Sequence, residues 1–103
     1  MYIVVLVTTK DKKEAQIIAA GLIKQKLAAC VNIMDKIDSI FFWDAKIDKA
    51  REFLLIIKSK KEKLPRIIKV VKSLHSYEVP EIIALPIIAG NKSYLRWIDA
   101  ALR

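Results

Sequence analysis

Cysteine is all but missing from this chain: Cys30 stands alone among 103 residues, so no disulfide can form within one copy. Histidine is as scarce, and one thiol with one imidazole, His75, cannot complete the four-ligand set of a closed structural zinc site inside a single chain. A zinc finger is thereby excluded. Glycine occurs only at Gly21 and Gly90, and neither belongs to a loop of consecutive backbone amides that would cradle phosphates. No apolar run approaches the roughly 18 residues of a membrane span, so no membrane insertion is expected. The opening MYIVVLVTTK lacks a basic segment and a small-residue cleavage pattern, and reads as a first strand rather than a signal peptide. The cytoplasm is the expected compartment.

What the chain does have is apolar bulk and lysine. Hydrophobic residues make up 54% and mean hydropathy is +0.29, above the usual share for a soluble domain, which predicts that some apolar surface meets another subunit. The net charge of +8 arises from 19 Lys and Arg against 11 Asp and Glu, and fifteen of those cations are lysines spread along the chain. Such charge attracts polyanions without preference. Specific nucleic-acid readers add arginine forks or aromatic platforms in a motif, and none is present, so no specific nucleic acid is expected as partner.

The apolar pattern divides a single domain of residues 1–103 into elements. YIVVLV at 2–7 is short, β-branched and unbroken, which predicts a strand buried on both faces. Asp11 and Glu14 form a capping-box pair ahead of Ala15, Ile18, Ala19, Leu22 and Ile23 at helical spacing, giving a helix over about 11–26. Residues 29–43 alternate loosely and predict a long or bulged strand, followed by a turn at Trp43–Lys46. A second apolar strand run is Phe53–Ile57, and Leu64, Ile67, Ile68, Val71 and Leu74 form the stripe of a helix with Pro65 in its first turn. Val79–Pro80 ends that helix, and IIALPII is a strand that Pro86 confines to an edge or bulge. Tyr94, Leu95, Trp97, Ile98, Ala101 and Leu102 stripe a terminal helix. The order βαββαβ plus a helix is α+β, the ferredoxin-like split βαβ plan. Both crossover helices of that plan cover one sheet face, yet the two central strands do not alternate, so the other face should be apolar and shielded by further copies.

Chemistry, if the chain performs any, centres on His75, Ser76, Tyr77, Glu78, Val79, Pro80 and Glu81, where the only imidazole, a phenol and two carboxylates meet at a helix–strand junction. Its plainer reading is a histidine packing at a helix C-terminus. LAACVNI at 27–33, SIFFWDAKI at 39–47, EFLLIIKS at 52–59, HSYEVPEIIALPI at 75–87 and YLRWI at 94–98 together resemble the CutA divalent-cation-tolerance proteins over essentially the whole chain. The resemblance implies a ferredoxin-like subunit, similar to PII signalling proteins, assembled as a homotrimer through extended strands. It further implies tolerance to copper and other divalent cations and copper binding, and, in a eukaryotic branch, anchoring of acetylcholinesterase. Carried over by residue, Cys30 and His75 match proposed metal contacts, whereas Val7 and Leu74 stand where some members have a further cysteine and histidine. Ser76 replaces a proline and Ala45 a glycine of the family pattern. Trp43, Lys58, Tyr77, Glu78 and Glu81 match other recurrent positions and are expected in a cleft between subunits.

Four function classes follow. The first is a trimer that binds copper or another divalent ion through Cys30 and His75, with Trp43, Lys58, Tyr77 and Glu78 as pocket residues. An enzyme using a Cys30–His75 pair lacks an orienting third residue, so no enzymatic activity is expected. A nucleotide sensor lacks the glycine loop, although Lys58 would attract a small anion. The last is a non-catalytic structural or small-ligand-binding trimer whose metal binding is incidental.

Overall fold

Strand β1 (Tyr2–Thr9) runs through the middle of the sheet, and its alternating burial shows why the run is apolar throughout. Ile3, Val5 and Val7 point into a core shared with Leu55 and Ile57 of β3 (Lys46–Lys60), whereas Val4, Leu6, Leu54 and Ile56 point the other way and stay half-buried. The computed structural model describes all of residues 1–103. Its sheet has the order β2-β3-β1-β4, all neighbours antiparallel, with β2 (Cys30–Trp43) and β4 (Ile82–Pro86) at the edges. Helices α1 (Lys12–Lys24) and α2 (Leu64–Leu74) cover one face and bury Ala15, Ile18, Leu22, Ile67 and Val71 there. The split βαβ plan therefore holds, with β1 and β3 central.

Helix α1 begins as its sequence predicts: the Asp11 carboxylate accepts the Glu14 amide at 2.8 Å. The reciprocal half of the capping box does not form, because the Glu14 carboxylate turns inward and lies 3.4 Å from His75 Nδ1. Helix α2 starts with Pro65 in its first turn, where a missing N–H costs nothing. Strand β3 is far longer than its apolar run, since Lys46–Arg51 pair with β2 although most of that segment is exposed.

Beyond the Thr9–Phe53 pair β1 has ended, and β2 and β3 continue alone as a two-stranded arm from Ile37–Glu52 to Trp43–Lys46. That arm accounts for a long axis of 44 Å against 25 and 23 Å. Its base carries a bulge at Asp35–Lys36, and its tip is a two-residue turn in which Asp44 and Ala45 have φ of 55° and 61°. Both faces of the arm are apolar: Phe42 faces Ile47 across one side, 72% and 78% exposed, and Phe41 and Trp43 lie on the other.

Helix α3 (Lys92–Ala101) departs from the expectation of a wholly open second face. Asp99 accepts Tyr2 Oη–H at 2.6 Å and pairs with Lys60 Nζ at 2.9 Å. Tyr2 and Lys60 are partners on the face opposite the core, so α3 covers one end of that face while Val4, Leu6, Leu54, Ile56, Ile83 and Leu85 continue beyond it.

Candidate functional site

The segment from the end of α2 to β4 passes the point where β1 stops, and the His75 ring anchors it. That ring is fully buried. Nε2 lies 2.7 Å from the Thr8 carbonyl, which can only accept, so Nε2 carries the proton and donates. Nδ1 in turn accepts the Tyr77 amide at 3.0 Å. Both nitrogens are thus occupied by backbone. The expectation of His75 as a metal ligand does not fit this arrangement, because a metal would have to displace one of those bonds inside a closed pocket. Losing the family's proline at Ser76 does not free the ring either, since these two bonds orient it.

Tyr77 extends the network outward. Its hydroxyl donates to Glu52 Oε2 at 2.8 Å, tying the segment to β3 where β1 no longer pairs. Burial first, and then this bond, hold the Tyr77 hydroxyl well above the usual phenol range. Glu52 is only 6% exposed and no cation pairs with it. Burial and then the Glu52 charge raise Glu81 above the ordinary carboxylate value.

Between this segment and the arm lies a cleft of about 830 Å³. Phe41, Trp43, Asp48 and Glu52 line the arm side, and Tyr77, Glu78 and Glu81 the opposite wall. Trp43, Tyr77 and Glu78 therefore line one cleft within a single chain, where the sequence reading expects a cleft between subunits. Lys58 does not. It lies six residues along β3 from Glu52, roughly 20 Å at strand rise, beside Cys30. Sequence reasoning misses Glu52, although a carboxylate heading the apolar run EFLLII is the signal that would have found it.

Cys30 sits on the face opposite the core, paired with Lys58 across β2 and β3, and Lys58 Nζ lies 3.9 Å from its Sγ. Tyr94 of α3 neighbours it, and burial, followed by that sulfur, raises the Tyr94 hydroxyl. Cys30 pairs in the row of Val4, whereas His75 bonds at Thr8, about 13 Å away along β1. One chain does not bring the two together, which removes the nucleophile–base pair as well as a shared metal site within a subunit. No group of three or more His, Cys, Asp or Glu side chains is placed to hold a metal ion.

The fold recurs in known proteins. The solved structure of the periplasmic divalent cation tolerance protein CutA from Archaeoglobus fulgidus superposes with a TM-score of 0.97 at 43% identity, covering 100% of both chains. The divalent-cation tolerance protein CutA of Thermus thermophilus is 43% identical over 95 residues, 92% of each chain. Protein CutA 1, chloroplastic, from rice is 45% identical over 101 residues, 98% of this chain, which spans 57% of that relative's length. The family model described as CutA1 divalent ion tolerance protein matches residues 3–101, and the chain belongs to this family.

Proposed function

We propose that the chain works as a non-catalytic homotrimer that binds copper or another divalent cation through ligands assembled between copies. The observation that supports this reading is the apolar row Val4, Leu6, Leu54, Ile56, Ile83 and Leu85 on the sheet face that α1 and α2 leave uncovered. Burying the exposed half of each contributes on the order of 1 kcal/mol, so a second and third copy shielding that face are strongly favoured. The exposed Phe42–Ile47 pair on the arm supplies a further apolar surface for a neighbour.

Cys30 lies on that same face, and threefold symmetry is the route by which one thiol per chain becomes a multidentate soft site suited to copper. His75 serves instead to hold the 75–81 segment. The relatives' names attach divalent-cation tolerance to them, and metal binding here rests on that kinship and on the thiol. Copper titration tests it: binding is expected in the wild type, lost in Cys30→Ala, and retained in folded His75→Gln. Unchanged binding in Cys30→Ala would remove the thiol from the site. The cytoplasm is proposed on the sequence alone, and cell fractionation recovering the chain outside the soluble interior would overturn it.

A further inference from the structure

We propose that Glu14 and His75 form a proton-operated latch on the 75–81 segment: one proton taken up between them as pH falls releases the Tyr77 amide. The His75 ring is fully buried and the Glu14 side chain only 10% exposed, with Nδ1 and Oε1 3.4 Å apart. Both of those atoms are acceptors. Nε2 carries the imidazole proton for the Thr8 carbonyl, Nδ1 receives the Tyr77 amide at 3.0 Å, and Glu14 Oε1 is buried without any donor. Two buried acceptors facing each other cost free energy that a proton between them removes. Nδ1 has only one lone pair to offer. Whether the proton settles on Nδ1 or on the carboxyl oxygen that then donates to it, that lone pair is taken, and the Tyr77 N–H loses its acceptor.

The two helix ends favour the charge-separated form. Glu14 lies in the first turn of α1, where free amides stabilise a carboxylate, and His75 caps the C-terminus of α2, where carbonyls stabilise a cation. Asp11 caps α1 through the Glu14 amide and Glu52 of β3 holds the Tyr77 hydroxyl, and the charges of Glu52, Glu14 and Asp11 all bear on that hydroxyl. Beyond Tyr77 the segment adds Glu78 and Glu81, while β1 and β4 bring no charged side chain. Lys10, Lys12, Lys13 and Lys72 on the neighbouring elements are exposed, and none pairs with Glu14 or His75. An imidazolium here faces acids. The ring has no surface left for another copy to cover and all its partners belong to its own chain, so the latch is the same in monomer and trimer. Once the amide is released, the segment keeps the Nε2–Thr8 and Tyr77–Glu52 bonds but loses the one that fixes its backbone at Tyr77.

A single histidine makes the test direct. In the full-length, isotope-labelled protein, NMR follows the imidazole nitrogens and the Tyr77 amide from about pH 8 to about pH 5, the range in which an imidazole ordinarily changes charge. One shared step is expected, across which Nδ1 gains a hydrogen and Tyr77 amide exchange, corrected for its intrinsic rate, accelerates about tenfold or more while β1 and β3 stay protected. Glu14→Ala and Glu14→Gln, each checked for an unchanged oligomer mass, should lower the proton affinity of that step about tenfold or more, because the facing carboxylate is gone. The absence of any step in that range, a step that leaves the Tyr77 amide protected, a step indifferent to both variants, or one in which β1 and β3 lose protection together with Tyr77 would each overturn the proposal.

Discussion

Replacing Ala45 by glycine should stabilise this protein, against the usual direction of such a change. The arm closes with Trp43 opposite Lys46, leaving two turn residues, and Asp44 and Ala45 have φ of 55° and 61°, the left-handed pair of a type I′ hairpin. Aspartate tolerates that region through local hydrogen bonding. Alanine does not, because its Cβ crowds the following carbonyl at a cost of about 1–2 kcal/mol. Glycine removes that cost but adds unfolded-state freedom of roughly 0.4–1 kcal/mol. The difference favours glycine by about 0.5–1 kcal/mol per chain, or roughly 2–8 °C in melting temperature for a domain of this size. Differential scanning calorimetry of wild type and Ala45→Gly at equal concentration measures it, with Ala45→Val as the opposite control, since a β-branched residue should lower the transition. An unchanged or lower melting temperature for Ala45→Gly would refute the strain assigned to the turn.

Other perturbations probe the network behind the cleft. Tyr77→Phe leaves the Glu52 carboxylate buried without its only donor, and should cost about 1–3 kcal/mol in urea unfolding; a loss below about 0.5 kcal/mol would mean that the bond is not made in solution. Glu81→Gln concerns a carboxyl whose folded value is raised, so wild-type stability is lost as pH climbs from the ordinary glutamate value of 4.5 through the folded one. The variant should therefore be relatively more stable near neutrality and indistinguishable at pH 3, and the opposite trend in pH-dependent melting contradicts the assignment. Asp99 is held low by its bond from Tyr2 and then by Lys60, so its contribution is present above the ordinary value of 3.8 and fades as pH falls below it. Asp99→Asn should accelerate amide exchange in α3 at pH 7 with little effect at pH 2.5, and equal exchange at both would discount the contact.

The parts of this fold that a sequence makes legible are those whose signal is local. YIVVLV announces β1, Asp11 announces the start of α1 and Pro65 that of α2, because strand composition, a cap and a fixed φ act within a few residues. KIDKAR, the first half of β3, carries no such sign: it is exposed in one chain and is a strand only because a tight turn places it opposite β2. Long-range partners are hidden for a similar reason. Glu14 fits a capping box by spacing, but its carboxylate turns inward beside an imidazole 61 residues away, a placement no local pattern announces. Lys58 lies on the same face of β3 as Glu52, since alternation reveals the face, yet nothing in the alternation tells which end of a 15-residue strand meets the 75–81 segment. Tyr77 and Glu78 could be assigned to the cleft because they share a short segment with His75, whose ring nitrogens are taken by Thr8 and Tyr77 themselves.

The uncovered face of the sheet carries the weight of the functional reading, and its test is a mass. Sedimentation equilibrium from nanomolar to micromolar chain concentration should give about three times 11.8 kDa throughout, and Leu6→Asp with Ile56→Asp should dissociate it. A folded wild-type species of 11.8 kDa at micromolar concentration, with Val4, Leu6, Leu54 and Ile56 left to water, would contradict the account.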